Sequence, residues 1–227
     1  DYDQLRHIMR PGHADYSGKI RYGGYNDFRG GGHFSGRLTA PLVFAGAVAS
    51  QILKRRGVAV GAHILQIGAV RDASFHPLGE DEALFASLKQ ETLPVLDKTK
   101  QFEMEGEIMA AKGDLDSVGG VIECMITGLP AGLGNPFFDS VESALSHMIF
   151  SVPAVKGVEF GDGFALASMR GSGANDAFYY DGAAVKTKTN RNGGINGGIT
   201  NGMPVLFRVA VKPTPSISRL QETIDTD

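Results

Sequence analysis

Residues 10–37 read RPGHADYSGKIRYGGYNDFRGGGHFSGR, and residues 38–57 continue as LTAPLVFAGAVASQILKRRG. The first segment gathers His13, His33, Arg10, Arg21, Arg29 and Arg37 around the consecutive glycines Gly30, Gly31 and Gly32. The second reads as a buried helix, because Leu42, Val43, Phe44, Ala45, Val48, Ile52 and Leu53 are apolar around most of its circumference. Thr39 is the expected N-cap, and Pro41 falls in the first turn, where a missing donor costs little. Lys54, Arg55 and Arg56 suit the negative end of the helix, and Gly57 stops it. A glycine run feeding a helix N-terminus leaves backbone N–H groups facing outward to an anion. Arginines nearby add fixed bidentate donors for phosphate or carboxylate. The pattern predicts a site for a phosphorylated, anionic small molecule, with a histidine placed to move a proton. Ser35 and Arg37 would be held firmly at the mouth of the helix.

Composition bounds the reading. A chain of 227 residues with 42% hydrophobic content can bury a proper core, as one large domain or two small ones. A net charge of −3 gives no global basic field to recruit nucleic acid. Cys124 is the single cysteine, so no intrachain disulfide forms, which fits a reducing, cytoplasmic setting. The apolar stretch near residues 42–53 is shorter than the roughly 20 residues a bilayer needs, so no membrane contact is expected. No zinc-type Cys/His spacing occurs. The chain opens abruptly in DYDQLRHIMR and stops in QETIDTD, which reads as a fragment of something longer.

The remaining chain alternates strands and helices. Strands are expected over residues 58–70, 118–127, 155–160 and 203–212, and helices over 80–89 and 98–111. The second of these helices is amphipathic through Phe102, Glu105, Ile108 and Met109. Asp139 and Glu142 form a capping box for a further helix, whose core face is Val141, Ala144, Leu145, Met148 and Ile149. Residues 164–169 are expected to pair with 155–160 across Gly161-Asp162-Gly163. Residues 1–9 are polar and read as helical, residues 20–28 as an irregular loop, and 171–202 as a long glycine-rich loop that is either functional or a mobile surface. His13 sits on a loop broken by Pro11 and Gly12, where it is either idle or catalytic. Asp15 either orients its ring or caps a turn. His63 and His76 read as structural. GGGHFSG at residues 30–36 matches neither a Walker loop nor a GxGxxG turn.

Several blocks then occur in a fixed order: RPGHADY (10–16), GGGHFSGRLTA (30–40), DSVGGVIE (116–123), GLPAGLG (128–134), AVKGVEFGDGF (154–164), GGINGGITNG (193–202) and KPTPSI (212–217). Together they resemble the chorismate synthases over essentially the whole chain. The resemblance implies an α+β fold, a β-α-β sandwich of antiparallel sheets around a helical layer, as one domain truncated at both ends and assembled as a homotetramer. It implies a lyase at the last step of the shikimate pathway, expelling phosphate from 5-enolpyruvylshikimate 3-phosphate by anti 1,4-elimination to give chorismate. Reduced FMN is required, with NADPH as a candidate reductant. Position by position, His13 matches the histidine that manages protonation of the reduced flavin, and Arg10 and Arg37 match substrate-facing arginines. His33, Phe34 and Ser35, the pair Pro153 and Ala154, and Gly197 match flavin contacts. Lys212, Pro213, Thr214, Pro215 and Ser216 match a segment that holds the flavin phosphate or ribityl chain. No metal is implied.

The chain departs from the family in places. Many members carry Arg-Ser-Ser-Ala-Arg-Glu where residues 33–38 here are HFSGRL, and Asn is more usual at Pro153. The family's N-terminal Gly-x-Ser-His-Gly block, with a second catalytic histidine, and its C-terminal Gly-Arg-His-Asp block fall outside this sequence, so the chain is expected to lack part of its active site. Two alternatives follow. One is a catalytically inert structural or oligomerising core fragment of the same enzyme. The other is a non-enzymatic phosphate-binding module.

Overall fold

The structure, a computed structural model, describes residues 3 and 6–226. The strands are β1 (Ala59–Ile67), β2 (Val70–Arg71), β3 (Gly120–Thr127), β4 (Val155–Phe160), β5 (Phe178–Asp181), β6 (Ala184–Thr187), β7 (Ile195–Asn196), β8 (Ile199–Thr200) and β9 (Val205–Val211). The helices are α1 (Asp15–Arg21), α2 (Thr39–Lys54), α3 (Glu82–Leu88), α4 (Lys98–Gly113), α5 (Val141–Phe150) and α6 (Gly171–Ala174). One five-stranded sheet, in the order β2-β1-β3-β9-β4, organises the chain, and all its pairings are antiparallel. The fold is therefore α+β.

Side-chain alternation explains why these segments pair. Successive residues of a strand point to opposite faces. On one face Met125 of β3 and Leu206 of β9 meet Phe75 and the α3 residues Phe85 and Leu88. On the other, Val205, Phe207 and Val209 of β9 meet Val141, Leu145 and Ile149 of α5. β9 lies between β3 and β4 and is apolar on both faces. Helix α3 approaches β1 closely only because Gly61 has no side chain: a Cβ there would lie 2.0 Å from the Phe85 ring. Met104 of α4 closes a third cluster with Ile67 and Val95. The register also lines up four charged side chains across four strands, with His63 opposite Glu123, Glu123 opposite Arg208, and Arg208 opposite Glu159.

Several local expectations are corrected. Helix α2 forms as expected but is not buried: Phe44 is 74% and Val43 70% exposed, and Leu42, Val48 and Ile52 also face outward. Its composition demands a cover, but no described element supplies one. The helical run Gly36–Lys54, 19 residues, is also long and apolar enough by length and composition to cross a bilayer, which the shorter apolar count had missed. Thr39 opens the helix rather than capping it, while Ser35 caps the preceding 3₁₀ turn, Gly36–Leu38.

Ser140, not Asp139, caps α5. Its Oγ accepts from Ser143 N–H at 3.1 Å, while Asp139 is taken up in a bridge to Asn135. Residues 163–168 form a 3₁₀ turn and not a strand, because β9 already supplies β4 with an apolar partner and the Glu159 carboxylate draws the Phe164 N–H back across the turn at 3.3 Å. In α4 the inward residue is Met104, and Phe102, Ile108 and Met109 are exposed. The first part of the expected 20–28 loop belongs to α1. The helix expected over 1–9 lies partly outside the described residues, and Ile8 instead makes an isolated bridge to Asp225. The 171–202 segment carries α6 and two hairpins, β5–β6 and β7–β8.

Candidate functional site

Two loops far apart in sequence meet at His13. Pro11 and Gly12 turn the chain sharply, with Gly12 at φ +71°, so that Pro215 packs directly beneath: a Cβ on Gly12 would lie 2.8 Å from the Pro215 Cβ. Lys212 Nζ donates to the Gly12 carbonyl at 2.6 Å. Ser216 Oγ lies 3.1 Å from His13 Nε2. Two further bonds hold the second loop in place: Lys212 N–H donates to the Ala154 carbonyl at 2.9 Å, and Ser117 Oγ donates to the Thr214 carbonyl at 2.6 Å. Pro213 lies beside Gly119. The exposed Pro153 leads into Ala154, whose φ of +72° is a left-handed conformation that costs a residue with a Cβ about 1–2 kcal/mol. That turn ends α5 and feeds β4 beside Lys212.

Electrostatics follow from this packing. Burial holds the His13 ring below the ordinary histidine value, and the charges of Arg10 and Lys212 push the same way, with Asp15 opposing. The ring is therefore neutral at pH 7 and carries a lone pair able to take a proton. Arg10 is committed to Asp15 in a two-pronged pair, Nε to Oδ2 at 2.7 Å and Nη2 to Oδ1 at 2.9 Å. Burial works to raise the Asp15 carboxyl, yet the hydrogen bonds from the Arg10 side chain and backbone outweigh it and hold the group below its ordinary value. Asp15 thus clamps Arg10 rather than orienting His13. Arg10 also lines a small cleft with Arg6, Lys19, Asn26 and Phe28.

The triple glycine forms a second patch. Gly30, Gly31 and Gly32 all take positive φ inside the 3₁₀ turn Arg29–Phe34, and a second 3₁₀ turn separates them from α2. The arc therefore does not open directly onto the helix N-terminus. Arg37 folds back over it, donating from Nη2 to the Gly30 carbonyl at 2.9 Å and from Nε to Ser35 Oγ at 3.1 Å. His33 stacks on Phe34 at 4.1 Å and meets the Tyr22 ring edge-on at 5.2 Å. Gly18 of α1 makes room for Phe34, since a Cβ there would lie 2.8 Å from the ring.

Gly197 lies elsewhere. It is the first of two glycines at positive φ in the turn between β7 and β8, and nothing stands within 4 Å of where its Cβ would be. Its neighbour Gly198 accepts from Val141 N–H at 2.9 Å, docking the hairpin on the start of α5. Pro153 and Ala154 follow the other end of the same helix. Ten residues of helix span about 15 Å, so one ligand touching both ends must run along α5. The structure thus joins His13, Ala154, Lys212, Pro215 and Ser216 in one cluster, groups His33, Phe34, Ser35 and Arg37 in another, and sets Gly197 apart.

The donor set suits a phosphorylated planar cofactor. Lys212, Thr214 and Ser216 bring an ammonium and two hydroxyls together, the His33–Phe34 pair offers an aromatic face, and Gly197 permits close backbone approach. Sequence reasoning missed Gly12 as the seat for Pro215 and Ser117 as the anchor of Thr214. The Pro-Gly turn was a signal for the first; nothing local signalled the second. Burial pushes the Cys124 thiol up to about 12, so that cysteine is no nucleophile at neutral pH.

Comparison with known proteins agrees with this arrangement. The family model described as chorismate synthase matches residues 1–227. A chorismate synthase of Thermococcus gammatolerans is 49% identical over 227 residues, covering 100% of this chain and 62% of that protein. One from Dehalococcoides mccartyi is 44% identical over 227 residues, covering 100% of this chain and 61% of its own length. A crystal structure of a chorismate synthase superposes with a TM-score of 0.80 at 30% identity, covering 88% of this chain and 63% of that one. The chain therefore spans about three-fifths of the length of these relatives. It belongs to the chorismate synthase family.

Proposed function

We propose that this chain forms the larger part of a lyase that eliminates phosphate from 5-enolpyruvylshikimate 3-phosphate to give chorismate, with reduced FMN as cofactor. The observation that carries this reading is the convergence of His13 with Lys212 and Ser216 across some two hundred residues of sequence. The elimination breaks the C3–O bond to phosphate and the C6–H bond, and forms a new carbon–carbon double bond. Reduced FMN, when bound, supplies an electron to this system and takes back the electron and the hydrogen, leaving no net redox change.

The chain's own residues would bind, orient and move a proton. Lys212 and the arginines Arg10 and Arg37 place fixed positive charge where phosphate and carboxylates must be held. The neutral His13 ring takes or returns a proton at the cofactor, and the Pro153–Ala154 turn and Gly197 bound its path along α5. Holding substrate and cofactor in contact removes the entropic cost of their encounter. A homotetramer, NADPH as reductant and a cytoplasmic setting rest on the family resemblance. Helix α2, which carries Thr39, Ser50 and Gln51 along its length, is in this reading an interior helix of the whole protein and not a bilayer span.

The test is an anaerobic assay of the full-length protein with this substrate and reduced FMN. Phosphate release matched by chorismate formation is expected; release without chorismate, or no release, contradicts the reading. A phosphate-binding module would instead hold inorganic phosphate and FMN with no preference between them.

A further inference from the structure

We propose that Ser216 is a positioning residue for His13, holding the imidazole in one orientation while its protonation changes. The inference rests on the reading of His13 as the proton-handling group. It assigns Ser216 a different task from the phosphate or ribityl contact that the family resemblance implies.

The geometry is specific. Ser216 Oγ meets Nε2 at 3.1 Å, and among the described residues Nδ1 makes no hydrogen bond. Nδ1 is therefore the ring nitrogen left to face a reacting molecule. The backbone on both sides is fixed independently of this bond. Lys212 Nζ holds the Gly12 carbonyl, Pro215 seats against Gly12, and Ser117 holds the Thr214 carbonyl. With the two loops locked, the hydroxyl is the last atom needed to fix the ring.

A hydroxyl suits the task chemically. It donates to the lone pair of a neutral imidazole and accepts from the N–H of a charged one, so it keeps its contact through a proton transfer. A carboxylate there would favour the charged ring, and an ammonium would favour the neutral one. A serine leaves the balance to burial and to the neighbouring Arg10 and Lys212, which already hold the ring neutral.

The experiment uses full-length protein carrying Ser216→Ala or Ser216→Thr, with two readouts. The first is the ring-nitrogen NMR pattern of His13 without cofactor. Wild type and Ser216→Thr should show one defined Nε2 environment, and Ser216→Ala an averaged one. The second separates kcat from the Kd for FMN. Ser216→Ala should lower kcat by about tenfold, as loss of an orienting partner does, with the FMN Kd unchanged, and Ser216→Thr should restore most of the rate. Ser216 is exposed, so the alanine variant is expected to fold. An unchanged His13 ring pattern in Ser216→Ala overturns the proposal. So does an FMN Kd that rises in step with the fall in kcat, which would make Ser216 a cofactor contact. If wild type showed the defined ring pattern but no turnover, the functional reading would fail and the positioning role would stand.

Discussion

Glu123 Oε2 sits 3.0 Å from His63 Nε2, and both side chains are wholly shielded from solvent. The other carboxylate oxygen accepts from Arg208 Nε at 2.8 Å, and Oε2 also accepts the Phe75 N–H. Beyond the ring, His63 Nδ1 lies 3.3 Å from Asp72 Oδ2. This charged row ties β1, β3 and β9 together inside the core. Burial works to raise the Glu123 carboxyl, but hydrogen bonds from His63 and Phe75, with the Arg208 charge, hold it below its ordinary value.

Removing one member of such a row leaves the others buried and unpaired. Glu123→Gln is predicted to cost about 3 kcal/mol at pH 7, read as a lower urea midpoint. The sign with pH follows from the depressed folded-state value. The stabilisation is present above the ordinary carboxylate value of about 4.3 and is lost as pH falls through the folded value. The gap between wild type and variant should therefore close in acid. Equal midpoints at pH 7 would show that the row contributes nothing net.

Asp15 makes a similar but shallower contribution. Asp15→Asn removes the charge that holds Arg10, and a loss of about 1 kcal/mol is expected for a pair whose arginine is partly exposed. The Asp15 carboxyl is also held low, so its contribution is present above about 3.9 and lost as pH falls through the folded value. Thermal midpoints of the two proteins measured from pH 7 downward should converge. A constant offset across that range would contradict the pairing.

The bare face of α2 predicts behaviour of residues 1–227 expressed alone. An apolar surface of this kind promotes association. The chain should sediment as a mixture of oligomers, and replacing both Phe44 and Val48 with Asp should shift it toward monomer. In the full-length protein the same pair of changes should instead destabilise, since α2 is read there as an interior helix. A monodisperse monomer from the unmodified chain would contradict this account of α2.

Much of the fold was legible because its signals are local. β1, β3, β4 and β9 announce themselves by β-branched content, and α5 by its spacing of Val141, Leu145 and Ile149. Boundaries failed where two neighbouring side chains could serve equally, as with Asp139 and Ser140. The strand expected at 164–169 failed because periodicity cannot tell which partner wins an edge, and β9 won it. Helix α2 shows the limit most clearly: its sequence states that it must be covered but not by what. At the site, the block pattern named His13 and the 212–216 segment separately. Their contact, separated by 203 positions at Ser216, depends on the whole sheet and no window of sequence contains it.

The most direct test compares full-length wild type with His13→Ala, measuring turnover of 5-enolpyruvylshikimate 3-phosphate and, separately, the Kd for FMN. If His13 handles a proton, kcat should fall by at least about a hundredfold while FMN affinity stays nearly constant. Parallel losses in both, or unchanged turnover, would contradict a proton-handling site built where these two loops meet.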